Sequence, residues 1–256
     1  VDDYYGKKIL EYLKNDLNLG NDKIITYGKT SQDFKILDYR LSLFETQFSY
    51  QYKGKVGSIT TKLRGLFNIY NLSAVISFLI KDGFDLKFLE ENAVNLKSIK
   101  GRFEVIEGQN FIVVIDYAHT PDALENILKS LNEIKENRII TVFGAGGNRD
   151  KTKRPIMGNV AERLSDIVIL TSDNPRNEDP EKIAQDILKG IKEKDKVITI
   201  LDRKEAIKKA ISLTENKDII LIAGKGHESY QIIGDKVLHF DDSEVVKELL
   251  SGGKCV

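Results

Sequence analysis

The feature that most constrains the fold of this chain is an alternation of short apolar runs and helical patterns from residue 111 onward. The apolar runs predict five strands: Phe111–Asp116, Arg138–Phe143, Ile167–Thr171, Lys196–Ile200 and Asp218–Ala223. Helical patterns separate them and begin near Pro121, Pro155, Asp179 and Arg203. Four strand–helix–strand crossovers predict an α/β domain with a mostly parallel sheet that helices cover on both faces.

An antiparallel hairpin is predicted after the last of these strands. Gln231–Ile233 and Val237–Phe240 flank a turn at Gly234-Asp235, and we expect this hairpin to form an edge of the sheet. Ser243–Leu250 then has the pattern of a last helix. His239 lies in the hairpin, and we interpret it as structural.

Residues 1–98 have a different pattern, which predicts a separate mixed unit. Residues 33–61 alternate as antiparallel strands with a turn at Lys53-Gly54-Lys55. The other predicted elements are helices over Tyr5–Leu17, Asn68–Lys81 and Asp85–Leu96 and a strand over Lys23–Tyr27. With Gly101-Arg-Phe-Glu104 as a boundary, we expect two domains, residues 1–98 and residues 99–256.

Charge and composition exclude several classes of protein. Basic and acidic residues balance at 39 each, which argues against a nucleic-acid binder, because such proteins gain affinity by neutralising phosphates. The sequence has no apolar run of about 18 residues, so no membrane span is predicted, and it shows no signal-peptide pattern. The one cysteine, Cys255, allows no internal disulfide and no cysteine-based metal site. A reducing, cytoplasmic location fits this cysteine usage.

The loop Asp116-Tyr-Ala-His-Thr-Pro-Asp122 follows the first predicted strand. A carboxylate at a strand end, such as Asp116, can hold ribose hydroxyls in doubly wound folds. Helix capping explains part of the same loop, and we interpret Thr120, just before Pro121, as an N-cap. For Asp116 and His119 the sequence leaves both interpretations open.

The second loop, Gly144–Pro155, has three glycines directly after a strand and then a run of basic residues. Glycine allows positive backbone angles and the close approach of a ligand. The loop is neither a phosphate-binding loop nor a complete dinucleotide motif. Its basic residues, Arg149, Lys151, Lys153 and Arg154, predict an anionic group nearby, with a solvated basic loop as the alternative.

The third loop, Thr171–Arg176, brings three different polar groups to the end of a strand. The carboxylate of Asp173, the amide of Asn174 and the guanidinium of Arg176 suit a small ligand that carries both charges. An Asp-Asn-Pro sequence is also a common turn, so this loop alone is weak support for a site.

The fourth loop is Ala223-Gly-Lys-Gly-His-Glu228. Gly224 can expose its backbone N–H, and Glu228 can accept a ligand ammonium. Lys225 and His227 can be exposed bystanders, and we favour that interpretation for His227. All four loops follow strands of one predicted parallel sheet, whose carboxyl ends form a ligand-binding edge.

Together these motifs resemble the Mur ligase family. The resemblance extends to Asp2-Asp3-x-x-Gly6, Phe67-Asn68-x-Tyr70-Asn71 and Gly101-Arg-Phe-Glu104, and it covers nearly the whole chain. The family has a UDP-sugar domain, a central ATPase domain and a C-terminal Rossmann-like domain. The resemblance therefore implies that residues 1–98 are an incomplete α/β central domain and that residues 99–256 are the Rossmann-like domain.

The family's ATP-binding loop, Gly-Thr-x-Gly-Lys-Thr, is missing from this sequence. Also missing are the carboxylate and histidine that hold magnesium and the carbamylated lysine, all of which would precede Val1. The pattern at Val1 is already that of the middle of an element, so we expect a piece of a longer polypeptide. We expect no catalytic residue and no metal ligand in this chain, and no ligase activity from it alone.

By resemblance, the whole protein would use ATP and Mg²⁺ and act as a monomer. ATP would phosphorylate the D-glutamate carboxylate of a UDP-N-acetylmuramoyl-dipeptide, and an amino acid's amine would attack the acyl phosphate. The resemblance implies that Asn71 approaches the phosphates, Arg102 the ribose–phosphate region and Asp116 the ribose. His119 belongs to the same motif.

The positions that hold the incoming amino acid in the family match six residues here: Arg149, Asp173, Asn174, Arg176, Gly224 and Glu228. The Asp-Asn-Pro-Arg form is similar to the signature of members that add meso-diaminopimelate. A guanidinium grips a second carboxylate well, whereas it repels the bare ammonium of lysine. The alternatives are L-lysine or lanthionine as the substrate and, in another class, a non-catalytic Rossmann-like binding module.

Overall fold

The computed structural model describes residues 1–252, so Cys255 lies outside the described residues. The chain divides into two compact units between Ser98 and Ile99, which is where the sequence places the domain boundary. Each unit has its own hydrophobic core.

The first unit contains three helices and a four-stranded sheet. Its elements are α1 (Tyr4–Asn15), β1 (Tyr27–Gly28), β2 (Phe34–Leu41), β3 (Thr46–Tyr52), β4 (Lys55–Thr61), α2 (Leu66–Lys81) and α3 (Leu86–Ala93). The strands lie in the order β1-β2-β3-β4, with β1 parallel to β2 and the other pairs antiparallel. The predicted antiparallel strands and the turn before Lys55 are therefore confirmed.

Alternation along the strands explains the core of this unit. Phe34 and Ile36 on β2 and Phe48 and Tyr50 on β3 point to one face and are buried. Apolar residues of α2 cover that face, among them Ile69. The predicted strand Lys23–Tyr27 was wrong over most of its length, because only Tyr27 and Gly28 pair with β2.

Asp2 fixes the start of the first unit. Its Oδ2 accepts hydrogen bonds from the Lys29 N–H and the Tyr70 hydroxyl, both at 2.7 Å, and its Oδ1 accepts from the Thr30 N–H at 2.7 Å. Burial alone would raise the pKa of this carboxyl, but the hydrogen bonds from Tyr70, Lys29 and Thr30 hold it well below its ordinary value.

The second unit is built on a six-stranded sheet. Its elements are β5 (Glu104–Glu107), β6 (Ile112–Asp116), α4 (Pro121–Asn132), β7 (Ile139–Phe143), α5 (Lys153–Leu164), β8 (Ile167–Leu170), α6 (Pro180–Leu188), β9 (Val197–Thr199), α7 (Arg203–Ser212), β10 (Ile219–Ala223), β11 (Tyr230–Ile233), β12 (Lys236–His239) and α8 (Asp242–Leu250). The strand order is β5-β6-β10-β7-β8-β9. All neighbours are parallel except β5, which runs antiparallel to β6. The predicted α/β fold with a mostly parallel sheet is confirmed.

Helices cover both faces of this sheet, as its fully apolar strands require. On β6, Val113 and Ile115 face one side and Val114 the other, and all three are buried. The first side packs against α7 and α8, through Ile207 and Val246 among others. The middle strands can be this apolar because neither face meets water.

The position of the hairpin β11–β12 differs from the one predicted from the sequence. The turn and the antiparallel pairing are as predicted, but the hairpin forms a separate two-stranded sheet and not an edge of the parallel one. The antiparallel edge strand is β5 instead. The alternation of a strand shows that it has two faces, but it does not show which strand it pairs with.

Within residues 1–252, no helix has the length and apolar character that crossing a membrane requires.

Candidate functional site

The four loops identified from the sequence follow four adjacent strands of the sheet. β10 lies between β6 and β7, and β8 lies beyond β7. All four strands are parallel, so their carboxyl ends and the loops that follow them share one edge. The crevice at such an edge, where the strand order reverses, is where open α/β sheets bind ligands.

The loops after β7 and β8 pack directly against each other. The Gly147 N–H donates to the Asn174 carbonyl at 2.9 Å, and a Cβ on Gly147 would collide with the Pro175 carbonyl. Only glycine permits this approach, which explains one of the three glycines that the sequence singled out.

Asn174 lies at the centre of the cluster and is almost fully buried. Its Oδ1 accepts hydrogen bonds from Lys225 Nζ at 3.1 Å and from the Ile232 N–H at 2.9 Å. Its Nδ2 donates to Glu228 Oε2 at 2.9 Å. The amide therefore connects the loop after β8 with the loop after β10 and with β11.

Lys225 is buried, so its interpretation as an exposed residue without a role in the site was wrong about its exposure. Its side chain is 0% exposed, and Nζ also donates to the Tyr230 carbonyl at 2.7 Å. The nearest carboxylate oxygens, from Asp173 and Glu228, are each 4.0 Å from Nζ. Burial lowers the pKa of the Lys225 ammonium, an effect that Asp173 opposes. His227 is exposed, as predicted.

Asp173 is buried against Gly224. Gly224 has a φ of +117°, and a Cβ there would lie 2.6 Å from Asp173 Oδ2. The backbone carbonyl of Asp173 accepts a hydrogen bond from Gln231 Nε2 at 2.8 Å. Two predicted site residues from different loops are therefore in contact.

Arg176 lies between the loop after β7 and the hairpin. Its Nη1 donates to the Gly147 carbonyl at 2.9 Å and lies 3.4 Å from the Asn174 carbonyl. Within the described residues its Nε and Nη2 make no hydrogen bond. Arg176 and Glu228 thus both contact Asn174, and one edge of the guanidinium remains available to a ligand.

Glu228 has one oxygen engaged and one more open. Oε2 accepts from Asn174, whereas Oε1 lies 3.5 Å from the Tyr117 hydroxyl. The charge of Glu228 raises the pKa of the neighbouring Tyr230 hydroxyl. A ligand ammonium near Oε1 would find a carboxylate that the protein already holds in place.

Two of the four cationic side chains in the loop after β7 are paired with carboxylates of the protein. Arg154 is fully buried and donates to Glu178 and Asp186, with its Nη1 3.0 Å from each carboxylate. The Lys151 ammonium also lies 3.1 Å from Glu178. Arg149 is exposed and donates only to the Asn148 carbonyl among the described residues. Of the predicted cationic side chains, Arg154 is therefore structural.

Glu178 gives this loop a pH dependence that can be measured. Hydrogen bonds from Arg154 and from the Asn148 N–H lower the pKa of Glu178 from 4.5 to about 2. Because the folded-state pKa is the lower one, the stabilisation is complete above pH 4.5 and is lost as the pH falls toward 2. We expect Glu178→Gln to melt below the wild type at pH 7, by roughly 2–4 °C for each kcal/mol lost. The gap should close as the pH falls below 4.5, in melting curves followed by circular dichroism; a gap independent of pH would contradict this account.

The residues assigned to the nucleotide by resemblance lie in both units. Asn71 is on α2 in the first unit, where it is exposed and its Nδ2 lies 3.3 Å from Asn68 Oδ1. In the second unit, Asp116 is buried and its Oδ2 accepts from the Phe103 N–H at 2.8 Å. Burial raises the pKa of this carboxyl, and the Phe103 hydrogen bond opposes the rise.

Arg102 and His119 both lie against the ring of Tyr117. The Arg102 guanidinium is 4.6 Å from the ring centre, and the His119 ring is 4.5 Å from it. Arg102 and His119 are exposed. Thr120 accepts from the Ala123 N–H at 3.3 Å, which confirms its predicted role as an N-cap.

Beneath the cluster, Arg203 and Asp242 form a pair that the sequence analysis missed. Both side chains are 0% exposed, and two contacts of 2.8 Å join the guanidinium to the carboxylate. Arg203 also donates to the Ala223 carbonyl at 3.2 Å and lies 3.5 Å from the Ser172 carbonyl. It thereby contacts the backbone at the end of β10 and at the start of the loop after β8.

Among residues 1–252, no grouping of three or more histidine, cysteine or carboxylate side chains could hold a metal ion. The cluster instead combines a partly free guanidinium, two carboxylates and a fixed amide. Such a set can bind a small molecule that carries an ammonium and a carboxylate side by side. A doubly wound sheet with these loops at one edge has the architecture in which open α/β sheets bind small ligands.

Comparison with known proteins gives the family. Residues 101–226 match the family model described as Mur ligase, glutamate ligase domain. A UDP-N-acetylmuramoyl-L-alanyl-D-glutamate–2,6-diaminopimelate ligase from Aquifex aeolicus is 48% identical over 256 residues, which are 100% of this chain and 51% of that protein. A ligase of the same name from Fusobacterium nucleatum is 45% identical and is covered to 52%. The chain belongs to the Mur ligase family, and it contains that family's C-terminal domain.

Solved structures agree with this assignment. The structure of a UDP-N-acetylmuramoyl-L-alanyl-D-glutamate–2,6-diaminopimelate ligase matches with a TM-score of 0.68 and 37% identity, over 100% of this chain and 53% of that one. A UDP-N-acetylmuramate–alanine ligase from Thermotoga maritima matches with a TM-score of 0.66 at 22% identity, over 89% of this chain and 47% of that one. The second likeness is one of fold alone. The chain spans about half the length of the curated relatives it matches.

Proposed function

We propose that the complete protein containing this chain is an ATP-dependent ligase that adds meso-diaminopimelate to UDP-N-acetylmuramoyl-L-alanyl-D-glutamate. We further propose that it acts in the cytoplasm as a monomer. The observation that carries the proposal is the convergence of Arg176, Asn174 and Glu228 in one loop cluster. Relatives at 45–48% identity whose names specify this reaction support it.

The proposed reaction has two steps. The D-glutamate carboxylate of the UDP-sugar dipeptide attacks the terminal phosphorus of ATP, which forms an acyl phosphate and releases ADP. The neutral amine of diaminopimelate then attacks the acyl carbon, loses a proton, and expels phosphate to leave an amide. The residues of this chain contribute the binding of the amine-bearing substrate and contacts to the nucleotide.

Recognition of the amino acid is assigned to its far end. The free edge of the Arg176 guanidinium donates two hydrogen bonds to the distal carboxylate, which is the strongest form of such a pair. Asp173 and Glu228 take the distal ammonium, and Gly224 leaves room for it by lacking a side chain. Arg149 approaches from the loop after β7.

Lysine lacks the distal carboxylate, so in this site the Arg176 guanidinium would be left without a partner and would lie near the terminal ammonium of lysine. Like charges brought together in an interface cost several kcal/mol, which favours diaminopimelate over lysine. Lanthionine carries the same charged ends as diaminopimelate, so the cluster accepts its charges equally well.

The nucleotide is assigned to Asn71, Arg102, Asp116 and His119. Asp116 would receive ribose hydroxyls, and Arg102 would face the ribose–phosphate region. For Mg²⁺, the described residues offer no fitting ligand set, so no step is assigned to a metal through this chain.

An amino-acid competition assay with the complete ligase tests the proposal. Equal concentrations of meso-diaminopimelate, L-lysine and lanthionine are offered with ATP and the UDP-sugar dipeptide, and the products are separated by mass. We expect diaminopimelate to dominate over lysine by about 100-fold or more, since leaving the site's charged groups unpaired is heavily penalised. Preference for lysine or lanthionine would replace the proposed substrate. Binding of ligands without any product would favour the non-catalytic binding module.

A further inference from the structure

We propose that Lys225 is a positioning residue of the amino-acid site: it fixes the orientation of the Asn174 amide and, through that amide, the carboxylate of Glu228. This inference rests on the proposed function, because the substrate whose binding it affects is the one assigned there. Lys225 is not among the residues assigned to contact the ligand, and the proposed reaction does not use its ammonium. The inference gives this buried group a role.

The burial of Lys225 requires an explanation. A buried ammonium is costly unless hydrogen bonds or opposite charges compensate it, and this side chain is 0% exposed. Its two shortest polar contacts are to neutral oxygens, the Tyr230 carbonyl at 2.7 Å and Asn174 Oδ1 at 3.1 Å. The carboxylates are farther away, at 4.0 Å. Lys225 is therefore not simply the partner of an ion pair.

The contact with Asn174 determines which way the amide points. Lysine can only donate hydrogen bonds, and so can a backbone N–H. Because Lys225 Nζ and the Ile232 N–H both face the same end of the side chain, that end must be the oxygen. A reversed amide would bring its NH₂ group against two donors.

Once the oxygen is fixed, the NH₂ group faces Glu228. Nδ2 donates to Oε2 at 2.9 Å, which holds one carboxylate oxygen and leaves Oε1 as the one directed toward Tyr117. Loss of Lys225 would remove one of the two donors and free the amide to turn. Glu228 would then lose a fixed orientation that binding of the distal ammonium requires.

The test compares Lys225→Met with the wild type in the complete ligase, with steady-state kinetics for each substrate. We expect the KM for diaminopimelate to rise about 10–100-fold, the usual effect of a misplaced binding group, while the KM for ATP changes by less than about twofold. Lys225→Gln, whose amide nitrogen can still donate toward Asn174, should recover part of the loss. The matched control is Lys236→Met on the exposed hairpin, which should change neither KM by more than about twofold.

A double-mutant cycle separates positioning from mere structural support. If Lys225 acts through Glu228, then Lys225→Met should add little to the loss already caused by Glu228→Gln. Two independent effects would add in full. Should Lys225→Met fail to fold, the same cycle is run with Lys225→Gln, for which a smaller rise of about threefold to tenfold in the diaminopimelate KM is expected.

The outcomes distinguish this inference from the proposed function. A wild-type enzyme that does not use diaminopimelate overturns the proposed function. A wild-type enzyme that uses it, with an unchanged diaminopimelate KM in the Lys225 variants or with additive losses in the cycle, overturns the role of Lys225 alone.

Discussion

Arg176→Ala in the complete ligase should lower kcat/KM for diaminopimelate by about 100–1,000-fold, because truncating one partner of a desolvated charge pair costs roughly 2–5 kcal/mol. The KM for ATP should stay within about twofold of the wild-type value, since no residue assigned to the nucleotide contacts Arg176. The measurement is steady-state kinetics with each substrate varied in turn.

Two further variants make the result interpretable. Arg176→Lys keeps the charge but loses the planar fork, so it should recover only a small part of the activity. Arg163→Ala removes an exposed arginine on α5 that pairs with Glu125, and it should leave both parameters near the wild type. If ATP and diaminopimelate lost affinity equally in Arg176→Ala, the assignment of Arg176 to the distal carboxylate would be wrong.

Arg203→Met should destabilise the chain by about 3–5 kcal/mol, because it leaves the Asp242 carboxylate buried without a partner. The two groups meet through two contacts of 2.8 Å and neither is exposed. Urea unfolding followed by circular dichroism measures the loss.

The double substitution Arg203→Met/Asp242→Leu provides the control. Replacing both members of a buried ion pair by apolar groups is often close to neutral for stability, so the double variant should recover a large part of what the single one loses. A double variant as unstable as the sum of the two single ones would show that the pair contributes through something other than mutual compensation of charge.

Much of the fold of the second unit could be predicted from its sequence, because strands and helices of this kind are determined by local patterns. A fully apolar run of about five residues between helical patterns has few alternatives to a buried parallel strand. The order of such strands then places the loops of Asp116, Gly144, Asp173 and Gly224 at one edge, whatever the details of packing. The predicted strand ends differ from the observed ones by no more than one residue.

Pairing and burial of single side chains did not follow from the sequence. The hairpin at Gly234 was recognisable from its turn, but its neighbour in space was not, because strand alternation carries no partner identity. Lys23–Tyr27 has an apolar centre, but only Tyr27 of this segment pairs with β2. Such outcomes depend on contacts between distant parts of the chain.

Buried charges were the largest gap in the prediction of the site. Lys225, Arg154 and Arg203 are each fully buried, although charged residues are rarely inside a protein. Their counterparts lie as far as 51 residues away for Lys225 and Asn174, so no short motif reveals them.

Under the proposed function, the hairpin β11–β12 links substrate choice to a part of the chain outside the crevice itself. The backbone of Arg176 is held by it on both sides, with Arg176 N–H bound to the Ile232 carbonyl at 3.0 Å and Gly234 N–H bound to the Arg176 carbonyl at 2.7 Å. A lengthened or shortened ribbon would therefore carry the guanidinium to a new depth while the sheet stayed as it is. Under the proposed function, a change in this solvent-facing turn would alter the length of the amino acid that fits.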